Sequence, residues 1–418
     1  MPSVMRELTK VVHVMRRFVP DRWGGTENVV FHVSEELIHR EVDSAVFCTA
    51  MLSTPGADRL GAVPVRRFGY VFPWFGLSKD ARRRLELKGG SPLALPLFIA
   101  LLREKNLTLI HTHVPLRLGG MVRTVAKFRR IPYVVSVHGG HFTLPDEQVE
   151  KMTEPVRGKL EWGKVFGALL GSRRVLADAD AILCVGQIEY EAMKQHYPDK
   201  RVAYVPNGVD VGRYAKADGA AFRETYGFGS SEKIVLCVSR IDPQKNQLGL
   251  VRAFATFSKR RPNHRLVLIG PVSNEAYLSE VQAEINEQGI ADRVTLIQGL
   301  RPDDPLLPSA YNAAEMFVLA SVHEPFGIVI LEAWAAGLPV VANRVGGIAG
   351  FTEDGENILL AEPGNDESLV AQVDRLADDV GLRSDLSRRA FGHVAAHYSW
   401  EKTTDRICMV YEECISEM

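Results

Sequence analysis

Two carboxylates eight positions apart bracket the segment Glu324-Pro-Phe-Gly-Ile-Val-Ile-Leu-Glu332. The apolar run before it reads as a strand ending near Leu319, and a helix beginning around Gly327 has its stop in Gly337, with Pro339 beyond. The backbone N–H groups of Phe326, Gly327 and Ile328 then stand at a helix N-terminus, where the macrodipole favours an anion such as a diphosphate. Two acids beside an anion site are poor phosphate ligands but good readers of hydroxyl groups. Glu332, one to two turns down, could reach a ribose, and Glu324 could accept hydrogen bonds from sugar hydroxyls. An ordinary strand-to-helix turn with surface acids has the same spacing.

A second constellation is Val235-Leu-Cys-Val-Ser239-Arg240-Ile-Asp-Pro-Gln-Lys245-Asn246, a strand running into Arg240 and Lys245 ahead of a helix that starts near Asn246. Both cations would project from the carboxyl end of a strand, the edge at which open α/β sheets bind ligands. Fixed positive charge there would stabilise a departing nucleoside diphosphate without a metal ion. Two solvated basic side chains are the bland alternative.

Two further elements have weaker signals. Trp23-Gly24-Gly25-Thr26-Glu27 places paired glycines before a helix reaching about Arg40, which lets the backbone approach an anion or a sugar. Neither GxGxxG nor GxxxxGK[ST] occurs, which disfavours a dinucleotide site and a P-loop ATPase. Val134 to Val137 reads as a strand that ends in His138-Gly139-Gly140-His141, where His138 could meet a sugar or orient an acceptor, although most lone histidines are structural. At another strand end, His111 reads as a core or supporting residue, while His113 is a candidate cleft residue, as is Glu27.

The elements that must position these residues alternate between short β-rich runs and amphipathic helical stretches, the sequence form of parallel sheets covered on both faces. Strands are expected at Val11–Met15, Ala45–Thr49, Leu107–His111, Tyr133–Val137, Ala181–Val185 and Val202–Val205. A second series is expected at Ile234–Ser239, Leu266–Ile269, Val294–Ile297, Met316–Leu319, Pro339–Ala342 and Asn357–Leu360. The turn cluster Pro206-Asn207-Gly208-Val209-Asp210 separates the series, giving expected domains of 1–208 and 209–399. The stretch 400–418 reads as an amphipathic helix that packs back on the first domain.

At 418 residues and 46% hydrophobic the chain can bury more than one core, and its 24% charged residues exclude a disordered class. Apolar runs such as Ser91 to Leu102 fall short of the roughly 20 residues of a membrane-spanning helix, and the N-terminal stretch lacks a small-residue cleavage site. Five cysteines without CxxC spacing argue against a disulfide framework or a zinc site, and a cytoplasmic location is expected. The net charge of −1 conceals an asymmetry: residues 1–210 carry +8 and residues 211–418 carry −9. The basic half points to an anionic partner, either a phosphorylated acceptor or an acidic membrane met peripherally, or else to a solvated face. The runs Arg82-Arg83-Arg84 and Arg129-Arg130 lack interleaved aromatics, so nucleic acid is not expected.

In this order the GGTE, VSVHGG, PNGVD, VSRIDPQKN and EPFGIVILEA segments resemble the retaining glycosyltransferases of family 4, over essentially the whole chain. The resemblance implies a GT-B fold, with two Rossmann-like domains whose parallel sheets face across a central cleft. It implies that Arg240 and Lys245 hold the donor diphosphate, Glu324 contacts the transferred sugar and Glu332 binds the ribose. It further implies that Gly24 and Gly25 approach the phosphates or the sugar, that His138 lies near the donor sugar, and that Asn207 sits at the interdomain connection. The implied reaction is metal-independent and needs no cofactor. The donor is a nucleotide-sugar, UDP-linked first and GDP-linked next, and the acceptor is a sugar, a sugar phosphate or a lipid-linked sugar. Rivals are a nucleotide-sugar 2-epimerase of the same fold and a non-catalytic nucleotide-sugar-binding protein.

Overall fold

The computed structural model describes residues 8–20, 23–87, 89–139, 150, 153–301 and 303–417. The chain divides into two compact units, one comprising Met1–Pro206 with Thr403–Met418 and the other Asn207–Lys402.

The first unit is built on β1 (Lys10–Met15), β2 (Asp43–Thr49), β3 (Gly56–Leu60), β4 (Val63–Phe68), β5 (Leu109–Thr112), β6 (Tyr133–Val137), β7 (Ala181–Cys184) and β8 (Val202–Tyr204). They form one sheet in the order β3-β4-β2-β1-β5-β6-β7-β8, parallel throughout except for β3, which runs antiparallel to β4. The interior strands read as near-continuous apolar runs because both faces are covered. One face carries Val12, Val14, Ile110 and Val135 into a core with Leu118, Met121 and Val122 of the helix Leu116–Arg129. On the other face, the C-terminal helix Trp400–Ser416 buries Tyr411 and joins its hydroxyl to His111 at 2.6 Å. Arg40 and Arg201 fix the flanks of that helix through Asp405 (2.8 Å) and Glu413 (3.0 Å).

The hairpin β3–β4 is an element the sequence does not announce. β3 is exposed along most of its length and β4 carries Pro64, Arg66 and Arg67, so neither shows the apolar run of a central strand. β3 is the edge strand of the sheet, where charge and exposure are tolerated because one side needs no pairing partner, and β4 lies between it and β2.

The second unit has six parallel strands: β9 (Lys233–Val238), β10 (His264–Ile269), β11 (Val294–Ile297), β12 (Met316–Leu319), β13 (Val340–Asn343) and β14 (Leu359–Ala361). Their order is β11-β10-β9-β12-β13-β14. Connections run outward in one direction from β9 and in the other from β12, so the order reverses between these two strands. In an open α/β sheet that reversal opens a crevice at the carboxyl ends of the strands. Both units are thus Rossmann-like α/β layers with parallel sheets. Among the described residues no helix is long and apolar enough to cross a membrane.

Candidate functional site

In the second unit, the loops that carry the two strongest constellations leave the paired strands β9 and β12 at the reversal point. After β9 the chain passes Arg240 and makes a tight turn. Asp242 accepts from the Gln244 N–H (3.0 Å), and Asn246, at φ 52°, caps the helix Gln247–Ser258 by accepting from the Gly249 N–H (3.2 Å). These two caps hold Lys245 at the end of a single 3₁₀ turn. The Gln247 amide donates to the Arg240 carbonyl (2.8 Å), and a Cβ on Gly270 would lie 1.8 Å from the Ser239 carbonyl oxygen, so this loop and the end of β10 are in backbone contact.

The loop after β12 is locked to the same turn. Val322 N–H donates to the Gln244 carbonyl and the Gln244 amide to the His323 carbonyl, both at 3.0 Å. Lys245 Nζ is ion-paired with Glu324 Oε2, and both side chains are only about a tenth exposed. The two constellations are therefore one site, and the ammonium is already neutralised by the carboxylate before any ligand arrives. Arg240 differs: its side chain is 44% exposed and lies 3.7 Å from Asp242.

Phe326 is buried and stacked on Phe351, with ring centroids 4.7 Å apart. Gly327 takes φ 104° as the residue preceding the helix Ile328–Ala335, a conformation that favours glycine. The first N–H groups of that helix have no intrahelical partner, which makes its start an anion-favouring end. Glu332 lies in its second turn. The Tyr311 hydroxyl donates to its Oε2 at 2.6 Å, Tyr214 supplies a second hydroxyl bond, and burial pushes the Glu332 carboxyl above the usual range.

Sequence reading missed a further support. The segment after β13 brings Gly346 and Gly347 against the Glu324–Phe326 backbone: Gly347 N–H donates to the Glu324 carbonyl (2.8 Å), and a Cβ on Gly347 would lie 1.9 Å from the Pro325 carbonyl oxygen. The signal was present as paired glycines after a strand, the same pattern that singled out Gly24 and Gly25.

In the first unit, Gly24 and Gly25 are exposed at the start of the helix Gly25–His39. Glu27 reaches back to accept from the Gly24 N–H (3.0 Å) and also lies 3.6 Å from Arg17, so it caps the helix. His113 is not a surface group. It is 7% exposed, with Nε2 3.0 Å from His13 Nδ1 and Nδ1 2.8 Å from His138 Nε2. The reason is register: His13 pairs with His111 across β1 and β5, and His113 lies two residues on, on the same face of the sheet. His138, which follows β6, is partly exposed, and its neighbours Gly140 and His141 lie outside the described residues. Burial lowers the histidines, His13 to about 3 and His138 to about 4, with His111 and His113 well below 6.5. Nitrogens of His13, His111 and His113 come close enough to hold a metal ion, but both of His111 are bonded, to Tyr411 and to Ser136 at 2.7 Å, as are both of His113. Asn207 is buried at the start of the second unit, where the following Gly208 packs against Trp400.

Comparison with known proteins gives this geometry its setting. Residues 23–213 match the Glycosyltransferase Family 4 model and residues 219–393 match Glycosyl transferases group 1. The chain is 30% identical to the D-inositol 3-phosphate glycosyltransferase of Acidothermus cellulolyticus over 409 residues, covering 94% of this chain and 86% of that one. Sucrose-phosphate synthase from Thermosynechococcus elongatus superposes with a TM-score of 0.75 at 20% identity, covering 98% of this chain and 100% of that one. Anabaena HepE, solved in complex with UDP and glucose, gives 0.72 at 19% identity with the same coverage, and both likenesses concern the fold. The chain belongs to the GT-B glycosyltransferases in which a Family 4 segment is followed by a group 1 segment, enzymes that pass a sugar from a nucleotide-sugar donor to an acceptor.

Proposed function

We propose that this glycosyltransferase works with retention of configuration and without a metal ion, holding its donor in the second unit. The observation that carries the reading is the joining of Lys245 to Glu324 where the strand order reverses, beside Arg240 and the start of the helix Ile328–Ala335. The diphosphate faces Arg240, Lys245 and the N–H groups of Phe326, Gly327 and Ile328. As it draws Lys245 towards itself, the Glu324 carboxylate is released to accept hydrogen bonds from sugar hydroxyls. Glu332, oriented by Tyr311 and Tyr214, is assigned to the ribose. The bond from the anomeric carbon to the diphosphate breaks, the acceptor oxygen bonds to that carbon on the same face, and the acceptor proton passes to the departing phosphate oxygen. Preorganised positive charge lowers the barrier to this departure.

We favour a UDP-sugar, with a GDP-sugar next, and the UDP held by the HepE structure supports that order. In the first unit we assign His138 to the transferred sugar and the exposed Gly24–Gly25 turn to the donor phosphates or sugar. The charge of +8 over residues 1–210 supports an anionic acceptor such as a sugar phosphate or a phosphorylated polyol, and the relative named as acting on D-inositol 3-phosphate agrees with it. An acidic cytoplasmic membrane is a second anionic partner for this unit. Arg82, Arg83 and Arg84 are exposed on the helix Lys79–Leu87, and Phe75, Leu160, Phe166 and Leu169 expose apolar surface around Trp162. The reading is tested by Glu324→Gln assayed with UDP-glucose and an inositol phosphate: turnover falls at least a hundredfold in a folded protein, and near-wild-type turnover overturns the role of Glu324.

A further inference from the structure

The first unit holds a chain of three imidazoles, His13, His113 and His138, joined by two short N···N contacts of 3.0 and 2.8 Å. Each contact needs one hydrogen, and a neutral imidazole carries one. His113, in the middle, can therefore donate to one side only, which leaves two arrangements. In the first, His13 Nδ1–H donates to His113 Nε2, His113 Nδ1–H donates to His138 Nε2, and the His138 hydrogen sits on Nδ1. In the second, every bond is reversed: His138 Nε2–H donates to His113, His113 Nε2–H donates to His13, and the His13 hydrogen is forced onto its Nε2.

The end of the chain decides between them. His13 is fully buried and its Nε2 has no hydrogen-bond partner among the described residues. The second arrangement would strand an N–H donor at that atom, whereas the first leaves only a lone pair. Unmet buried N–H groups are rarer than under-satisfied acceptors, and each unmet group loses its hydration without return. A proton bound by His13 or His113 would be an unpaired charge in the interior, and burial lowers His138 to about 4, so the three rings stay neutral at neutral pH.

We infer that His13 and His113 are positioning residues that fix His138 as the tautomer with its hydrogen on Nδ1, so that it meets the sugar as a hydrogen-bond donor. This inference rests on the assignment of His138 to the sugar side of the reaction. His138 is partly exposed, and its Nε2 is taken by His113, so among the described residues Nδ1 is the nitrogen left to work. An Nδ1–H donates to a hydroxyl or ring oxygen and cannot take a proton at that atom. His138 is thereby a hydrogen-bonding group for the transferred sugar, and the acceptor proton must leave by another route, consistent with its passage to the diphosphate. The strand register that makes His113 unsuitable as a surface ligand is what places it to hold His138.

The test is long-range ¹⁵N–¹H correlation of the imidazole groups in the full-length protein at pH 7.5, with His138 assigned by its loss in His138→Gln. The expected result is a protonated Nδ1 and a bare Nε2 on His138, the reverse of the tautomer that free histidine prefers. In His113→Leu, which removes the donor, the hydrogen moves to Nε2 in most molecules; in His113→Asn, whose amide can still donate, it stays largely on Nδ1. A wild-type His138 protonated on Nε2, or a tautomer unchanged in a folded His113→Leu, overturns the inference. Failure of the underlying assignment shows differently, as unchanged turnover of UDP-glucose in His138→Gln, with the tautomer pattern of the wild type intact.

Discussion

Lys245 and Glu324, 79 positions apart in the chain, form an ion pair whose two side chains are about nine-tenths covered. Removing one partner of such a pair leaves the other charged and desolvated, at a cost of about 3 kcal/mol, while removing both costs less. Lys245→Met is therefore expected to lower the melting temperature by roughly 6–12 °C, and the double variant Lys245→Met/Glu324→Gln to recover part of it. A thermal melt of the four proteins in the cycle checks this, and fully additive losses would mean the two side chains do not interact.

Gly347 is predicted to be intolerant of any side chain. Its Cβ would fall 1.9 Å from the Pro325 carbonyl, so Gly347→Ala must push the Glu324–Phe326 loop away from the segment after β13. A loss of about 2 kcal/mol is expected from that overpacking, with turnover falling more than tenfold because Glu324 moves with the loop. Wild-type stability and rate in this variant would show that the contact is not needed.

The histidine chain makes stability depend on pH with a definite sign. The folded pKa of His13, about 3, lies below the value of 6.5 for the unfolded chain, so the unfolded state binds more protons between those limits. Its contribution is present in full above about pH 6.5 and is lost as pH falls, by up to about 1.4 kcal/mol per pH unit. Urea unfolding at pH 7.5, 6.0 and 5.0 should show the decline, and His13→Gln should reduce its slope by about that amount. An unchanged slope would mean His13 is not held neutral.

If the first unit meets an acidic membrane, it should sediment with vesicles containing phosphatidylglycerol and stay in solution with phosphatidylcholine alone. Phe166→Asp/Leu169→Asp, at two exposed apolar positions, should lower the bound fraction severalfold. Equal sedimentation with both vesicle types would exclude charge recognition.

How far the sequence could be read follows from what each signal depends on. The central strands were legible because burial on both faces makes segments such as residues 234–238 and Met316–Leu319 apolar without interruption. The β3–β4 hairpin was not, since the edge strand β3 is exposed along most of its length and Pro64, Arg66 and Arg67 interrupt the apolar pattern of β4. Lys245 and Glu324 were each visible beside a strand end, but only the strand order, with β9 next to β12, brings them together, and local pattern does not encode that order. His13 was hidden for the same reason. Within Lys10–Met15 it looks like an interruption, and its partner at 113 appears only once β1 and β5 are in register.

Where the donor binds decides the mechanism most directly. Isothermal titration of UDP into the wild-type protein in excess chelator, repeated with Arg240→Ala, measures this without knowledge of the acceptor. We predict binding that is indifferent to chelator and weakened at least tenfold in Arg240→Ala, through loss of a charge-assisted contact worth about 1.5–3 kcal/mol. Binding that requires a divalent ion, or that is unaltered in Arg240→Ala, would contradict the proposed donor site.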